Sequence, residues 1–388
     1  MNKIIIMVLV LISTHAYADG LLRTTDLKKY CGQDGIDRQT VIYLDQGIIA
    51  KKDPNWYKDI LNKTKFLAGE RIQVVTINAG GSTVEQAWDS CFPSYTSKKY
   101  NTIKEEEGLG SLFTGGIDDN LKNDKSSFSK WFKQALAHPL AGSKHDTAPN
   151  FSSRGFPSKK LVEALYYDSN RMNLKNGITR VIIFSDMIEK SDLVDHAIFK
   201  PLEKAKEISK RFPMFLNHAS IYVYGINYTN NNTALNEKMQ AFWEQYLLSS
   251  GANIEQYGTQ LVLPRVDSTF EAYSYTGRLT QSDGKKLATK IRLAYTPDGA
   301  LIHSWITIGD YFMPIKGTLN CSGQDCKVTA TITNSTFDGF AKNDILQLQG
   351  THKELKGKIG AIDDSIIDEQ GKIYRFDVEY VQDLNLAL

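Results

Sequence analysis

The stretch G-I-T-R-V-I-I-F-S-D, Gly177 to Asp186, contains four consecutive apolar residues, Val181 to Phe184, and ends abruptly in Ser185 and Asp186. Most of the four are β-branched or aromatic. This is the pattern of a strand buried on both faces of a parallel sheet, so a central strand is expected here. Ligands of open α/β sheets sit beyond the carboxyl ends of the strands, which makes Asp186 the marker of any site.

Upstream of that strand, Thr40 to Leu44 (T-V-I-Y-L) forms a second short apolar run ending in Asp45. Asp53-Pro54 supplies an N-cap and a first-turn proline, and Trp56, Ile60, Leu61 and Leu67 fall on one helical face. Arg71 to Ile77 is the next strand, completing the strand, helix, strand unit of a parallel sheet. Residues 79–150 break the alternation and read as an insertion with one docked helix, because Phe128, Trp131, Phe132, Ala135 and Leu136 keep an amphipathic spacing. Pro157 and Ser158 open the helix that carries Leu161, Val162, Leu165 and Tyr166 into the central strand.

Downstream, a helix is expected from about Pro201 to Phe212 and a strand from Ala219 to Ile226. A helix over Met239, Phe242, Trp243, Tyr246 and Leu247 follows, stopped by Gly251, and then an edge strand at Gln260–Leu263. From about Ser268 the texture changes to short alternating runs separated by S-D-G, P-D-G, S-G-Q-D and E-Q-G turns. Glycines inside strand contexts, at Gly277, Gly317 and Gly350, suggest bends in a coiled antiparallel meander closing toward a small barrel. The fold class is therefore α/β over residues 19–265, a mostly parallel sheet with helices on both faces, followed by an antiparallel β domain over 268–388.

Residues 1–18 stand outside this fold. Lys3, the apolar run Ile4 to Ile12 and Ala16-Tyr17-Ala18 are the parts of a secretory signal, with cleavage expected before Asp19 and a periplasmic or secreted destination. In an oxidising compartment four cysteines suggest two disulfides. Cys321 and Cys326 bracket a polar turn, which leaves Cys31 for Cys91, although four cysteines allow three connectivities. No later segment has the length and apolarity to span a bilayer, and the net charge of +2, with no long basic run, gives no footing for nucleic acid.

Motifs for catalysis are missing. The cysteines are not in C-x-x-C form, the seven histidines are scattered, and there is neither a G-x-S-x-G elbow nor a P-loop. Asp186, Glu189 and Asp192 form an acidic cluster that reads as a solvated loop before it reads as a cation site. Tyr273, Tyr275, Trp305, Tyr311 and Phe312 are candidates for a cavity or contact surface in the β domain.

The strand ending in Asp45, the segment R-G-F-P-S-K-K-L-V-E-A-L (Arg154 to Leu165) and the strand ending F-S-D-M at Asp186 occur in the order of a von Willebrand factor A domain. The resemblance covers residues 40 to about 265. It implies a metal-ion-dependent adhesion site in which D-x-S-x-S, a threonine and a second aspartate hold Mg²⁺ that a partner's carboxylate completes. Here only Asp45 and Asp186 match as metal ligands. Gly47 and Ile49 stand where both serines belong, and the threonine position falls near Phe156, with Ser158 the closest hydroxyl. A degenerate site with at most weak Mg²⁺ binding and no other cofactor is thus implied. The family's usual role of gripping another protein remains, through loops that carry Gln46, Gly47, Phe156, Ser158 and Ser185.

The expected function is a non-enzymatic, exported interaction protein, an accessory of a bacterial envelope assembly such as conjugation, secretion or adhesion, whose partner is another envelope or extracellular protein. The alternatives are a metal-dependent hydrolase using Asp45 and Asp186, and a small-ligand carrier centred on the β domain.

Overall fold

The computed structural model describes residues 25–32, 38–49, 56–79, 82–107, 116–142, 159–174, 177–228, 231–264, 271–281, 283–336, 342–360 and 374–384. The expected signal segment at 1–18, Asp53-Pro54, Phe156, Pro157, Ser158 and the junction at 265–270 lie outside these residues.

The first domain is built on a six-stranded sheet. Its strands are β1 (Arg38–Asp45), β2 (Arg71–Ile77), β3 (Val84–Cys91), β4 (Ile178–Phe184), β5 (Ser220–Tyr224) and β6 (Asn253–Gly258), in the order β3-β2-β1-β4-β5-β6. β1 pairs in parallel with both β2 and β4, with Tyr43 opposite Val75 and Ile183, and only β3 runs antiparallel. The described helices are α1 (Gln46–Ile49), α2 (Tyr57–Lys63), α3 (Ser97–Glu106), α4 (Ile117–Gly142), α5 (Leu161–Met172), α6 (Pro201–Arg211) and α7 (Thr233–Ser249).

Period-two alternation divides the buried strand residues between two cores. Val41, Tyr43, Val181, Ile183, Ile221 and Val223 pack under α5, α6 and α7, whereas Ile42, Leu44, Ile182, Phe184 and Tyr222 pack under α2 and α4. Every residue of β1 and β4 is buried, which is why Val41–Leu44 and Val181–Phe184 read as unbroken apolar runs.

Two sequence expectations are corrected here. Residues 79–150 are not wholly an insertion, since Val84–Cys91 form the antiparallel edge strand. A register shift between Val74 and Val75 breaks the alternation in this pair and places Ala87, Trp88, Ser90 and Cys91 in the buried positions, so a strict period-two search misses the strand. The edge beyond β5 is Asn253–Gly258, paired in parallel with β5, rather than Gln260–Leu263. Its half-buried polar residues, Glu255 and Gln256 among them, carry little apolar signal.

The expected docked helix is α4, longer than its apolar stripe, and Phe128 and Phe132 pack against Trp88. The disulfide Cys31–Cys91 ties the segment before β1 to the end of β3.

The second domain consists of β7 (Glu271–Thr280), β8 (Lys286–Tyr295), β9 (Ser304–Ile308), β10 (Tyr311–Ser322), β11 (Asp325–Ile332), β12 (Ile345–Thr351), β13 (Glu354–Gly360) and β14 (Tyr374–Leu384). Each strand pairs antiparallel with its chain neighbours, and β14 pairs with β7, closing a barrel. Along β11, Cys326, Val328, Ala330 and Ile332 are buried and alternate with Lys327, Thr329 and Thr331. The interior is filled by these residues with Tyr275, Ile291, Ile306, Met313, Leu346, Leu348 and others. Gly317 is required by closeness rather than by a turn: a Cβ there would lie 2.1 Å from the Thr329 carbonyl oxygen on β11.

The barrel docks on the amino edge of the first domain's sheet. Arg292 donates to the carbonyl of Gly177 (2.9 Å), at the start of β4, and His303 hydrogen-bonds the hydroxyl of Ser220 (2.8 Å), at the start of β5. His218 lies between Trp305 and Phe312, at ring distances of 3.9 and 4.6 Å. Tyr273 and Tyr275 thus belong to the barrel core, Trp305 and Phe312 to the domain junction, and Tyr311 is largely exposed beside it.

Candidate functional site at the carboxyl edge of the sheet

β1 and β4 are adjacent and parallel, so the acids that terminate them meet at one edge. Asp45 and Asp186 are both buried, and the ammonium of Lys159 stands between their carboxylates. Lys159 Nζ lies 2.5 Å from Asp45 Oδ2 and also pairs with Asp186 Oδ1. The lysine is held by its backbone as well, in a bridge with Lys190 of N···O distances 2.9 and 2.8 Å, which joins the entrance of α5 to the loop after β4.

The remaining polar groups turn inward onto the same acids. The hydroxyl of Ser185 donates to Asp45 Oδ2 (2.7 Å) and accepts from the amide of Met187 (3.0 Å). The amide of Gly47 donates to Asp45 Oδ1 (3.0 Å), and that of Ile188 to Asp186 Oδ1 (3.1 Å). A Cβ on residue 47 would sit 3.1 Å from Asp45 Oδ1, so glycine lets the backbone approach the carboxylate directly. Gln46 links two other elements, donating to the Pro139 carbonyl (3.2 Å) and accepting from the Ala79 amide (3.2 Å).

Burial alone disfavours an ammonium, yet the carboxylates of Asp45 and Asp186 outweigh it and raise the Lys159 pKa above its ordinary value. Lys159 is therefore a fixed cation. Two carboxylates and one ammonium leave one net negative charge. A divalent ion bridging the two acids would have to displace the ammonium, a competition absent from an open carboxylate pair.

Glu189 is the third acid and is wholly buried, so the expectation of a solvated acidic loop holds for exposed Asp192 but not for Asp186 or Glu189. Burial pushes the Glu189 carboxyl up to about 7, against the opposing hydrogen bond from the Val162 amide (2.9 Å) and the nearby charge of Lys159. Glu189 thereby caps the first turn of α5. The indole of Trp243 donates to the Met187 carbonyl (2.8 Å), fixing the loop after β4 to α7.

The structure thus brings together Asp45, Asp186, Gly47 and Ser185 from the sequence-based set, leaves Gln46 as a bridge to β2 and α4, and adds Lys159 and Glu189. The signal for Lys159 was its position beside the hydroxyl slot in P-S-K-K; nothing local indicated its contact with Asp45. The surface leaving this edge mixes exposed charged residues, Lys190, Asp192, Lys200 and Glu203, with two large apolar ones. Ile198 (79% exposed) and Leu202 (55%) lie on the connection from β4 into the first turn of α6, which leaves from the same edge.

A second charged cluster, unforeseen in the sequence, lies toward the amino edge. Glu70 accepts from Arg180 (2.9 Å) and pairs with Arg38 (3.2 Å), and all three are buried. Burial would raise the Glu70 carboxyl, but Arg180, Arg38 and hydrogen bonds from Thr40 and the Leu67 amide bring it below the usual range.

No family model matches the chain, and no curated protein matches it. Among solved structures it is similar to proximal thread matrix protein 1 from the mussel byssus, at 12% identity and a TM-score of 0.22, over 55% of this chain and 49% of that one. It is also similar to the human COPII-coat protein Sec24c, at 9% identity and a TM-score of 0.29, over 92% of this chain and 46% of that one. The chain thus spans about half the length of these two solved chains.

Proposed function

We propose that this chain is an exported, non-enzymatic protein-interaction module of the von Willebrand factor A type, serving a bacterial envelope assembly, whose contact face is the carboxyl edge of the α/β sheet. The observation that carries the reading is Lys159 between Asp45 and Asp186: the place given to a bridging cation in an adhesion site is filled by the chain's own ammonium. The edge is thereby ordered without metal. Ser185 and Gly47 support it from within, and recognition is left to the surrounding surface, where Ile198 and Leu202 are exposed. Of the large apolar side chains exposed among the described residues, these two lie on the connection that leaves this edge.

The barrel supports the same orientation, because its contacts with Gly177 and Ser220 occupy the opposite, amino edge. The two disulfides suit an oxidising compartment, and no helix among the described residues is long and apolar enough to cross a membrane. The hydrolase reading is weakened by Lys159, which holds both acids in ion pairs. The carrier reading is weakened by the side chains that fill the barrel interior.

The test is crosslinking in the native envelope with a photoreactive phenylalanine analogue replacing Ile198 or, as a control on the barrel, exposed Lys353. A discrete protein adduct is expected from position 198 alone, lost when Leu202→Asp is added. Equal labelling from both positions would refute the assignment of the contact face.

A further inference from the structure

Among the described residues, three side chains with metal-ligating atoms come together at one end of the barrel. Cys321, Cys326 and His352 have ligand atoms within 4.8 Å of one another. Cys321 and Cys326 face each other across the β10–β11 hairpin and form a disulfide. His352 comes from the neighbouring β12–β13 turn, carried there because Cys326 is in register with Gly350. That turn is well fixed: the Tyr275 hydroxyl donates to the His352 carbonyl (3.2 Å), and Thr351 Oγ1 accepts from the amides of Lys353 and Glu354 (3.2 and 3.3 Å).

The two disulfides of this chain differ in what they constrain. Cys31–Cys91 spans 60 residues, whereas Cys321–Cys326 spans 5, so the second restricts the unfolded chain far less. Eight consecutive register pairs hold the β10–β11 hairpin in any case. Cys321 is exposed to an attacking thiolate and Cys326 is buried. An open cavity of about 650 Å³ adjoins them, lined also by Asp325, Lys327 and Lys356.

We infer that this bond is a redox gate over a metal site: when Cys321–Cys326 is reduced, the two thiolates and His352 bind a d¹⁰ cation such as Zn²⁺. The reductant is a dithiol. Its thiolate attacks Cys321 Sγ, the Cys321–Cys326 bond breaks, and Cys326 leaves as thiolate. The second thiol of the reductant then attacks the mixed disulfide and frees Cys321, so two electrons pass to the protein and the reductant becomes a disulfide. Zn²⁺ would be held by the two sulfurs and one imidazole nitrogen, displacing any remaining thiol protons, which leaves one of its usual four positions for water or a ligand. Sulfur and imidazole donors select this class of cation over Mg²⁺ or Ca²⁺. This inference stands apart from the protein-interaction reading.

The experiment uses the full mature chain, oxidised or reduced with a phosphine that is then removed, titrated with Zn²⁺ and, for its sulfur-to-metal charge-transfer bands, Co²⁺. One Zn²⁺ per reduced chain is expected, with at least about 100-fold weaker binding to the oxidised chain, and His352→Ala should weaken uptake by at least about 10-fold. The double variant Cys321→Ser, Cys326→Ser keeps Cys31–Cys91 and should fold but take up no zinc on reduction. Equal uptake by oxidised and reduced chains, no uptake by a reduced chain with native circular dichroism, uptake by the double variant, or failure of that variant to fold would each overturn the inference.

Discussion

Lys159 Nζ and Asp45 Oδ2 are 2.5 Å apart in an ion pair whose side chains are 12% and 2% exposed. Removing one member of a buried ionic group leaves the other charges uncompensated, at a cost of about 3–5 kcal/mol. Lys159→Met should therefore lower the unfolding free energy at neutral pH by about that amount, read from urea denaturation. The same change frees two facing carboxylates, so millimolar Mn²⁺ should stabilise the variant and leave the wild type nearly unchanged, since a ligand stabilises only when its concentration approaches Kd. An equal response of the two proteins to Mn²⁺ would mean that the ammonium does not occupy the cation's place.

The Glu70 cluster gives a second prediction. Glu70→Gln keeps the shape but removes the charge that Arg38 and Arg180 share, and it should cost about 3–5 kcal/mol. A loss below about 1 kcal/mol in chemical denaturation, the range of exposed pairs, would show that the arginines find other compensation.

The domain junction predicts a pH dependence. Burial, with Arg292 and Lys290 nearby, lowers His218 to about 3. Burial, with Arg38, Arg180 and Arg292, holds His303 well below its ordinary value of 6.5. Between the folded and unfolded pKa values the unfolded chain binds more protons, so this stability is complete above about pH 6.5 and declines as pH falls. Each histidine contributes a slope of up to about 1.4 kcal/mol per pH unit. Glu189, raised to about 7, works in the opposite direction, losing stability as pH rises from its unfolded value toward 7. His218→Phe, which preserves an aromatic ring between Trp305 and Phe312, should reduce the acid-side slope by about one proton's worth; an unchanged slope would remove His218 from the account.

In the barrel, Gly317→Ala should destabilise by at least about 1–3 kcal/mol, because the new methyl meets the β11 backbone, which has no free rotamer to yield. Gly360→Ala, where a Cβ meets nothing within 4 Å, is the matched control and should change stability little. Similar melting temperatures for the two variants would refute the close approach of β10 to β11.

Local pattern by itself determined the central strand at Val181–Phe184, the strands flanking it and the change to an antiparallel β domain, because long buried apolar runs and turn-bounded alternation are written in adjacent residues; of the three connectivities that four cysteines allow, tertiary structure selected Cys31–Cys91 with Cys321–Cys326. It failed at β3, where a bulge breaks the alternation, and at β6, whose side chains are half-buried and polar. Asp45 and Asp186 were legible as strand ends. Their partner was not: Lys159 lies 27 residues from Asp186 and on a different element from either acid, and only the parallel pairing of β1 with β4 and the Lys159–Lys190 bridge bring the three together. The same holds for Glu70 with Arg38 and Arg180, for His218 between Trp305 and Phe312, and for His352 beside Cys326. A charged or aromatic side chain in sequence carries no sign of whether it will be solvated or buried; tertiary packing decides that, and with it whether the residue is a solvated surface group, an internal counter-ion or part of a site.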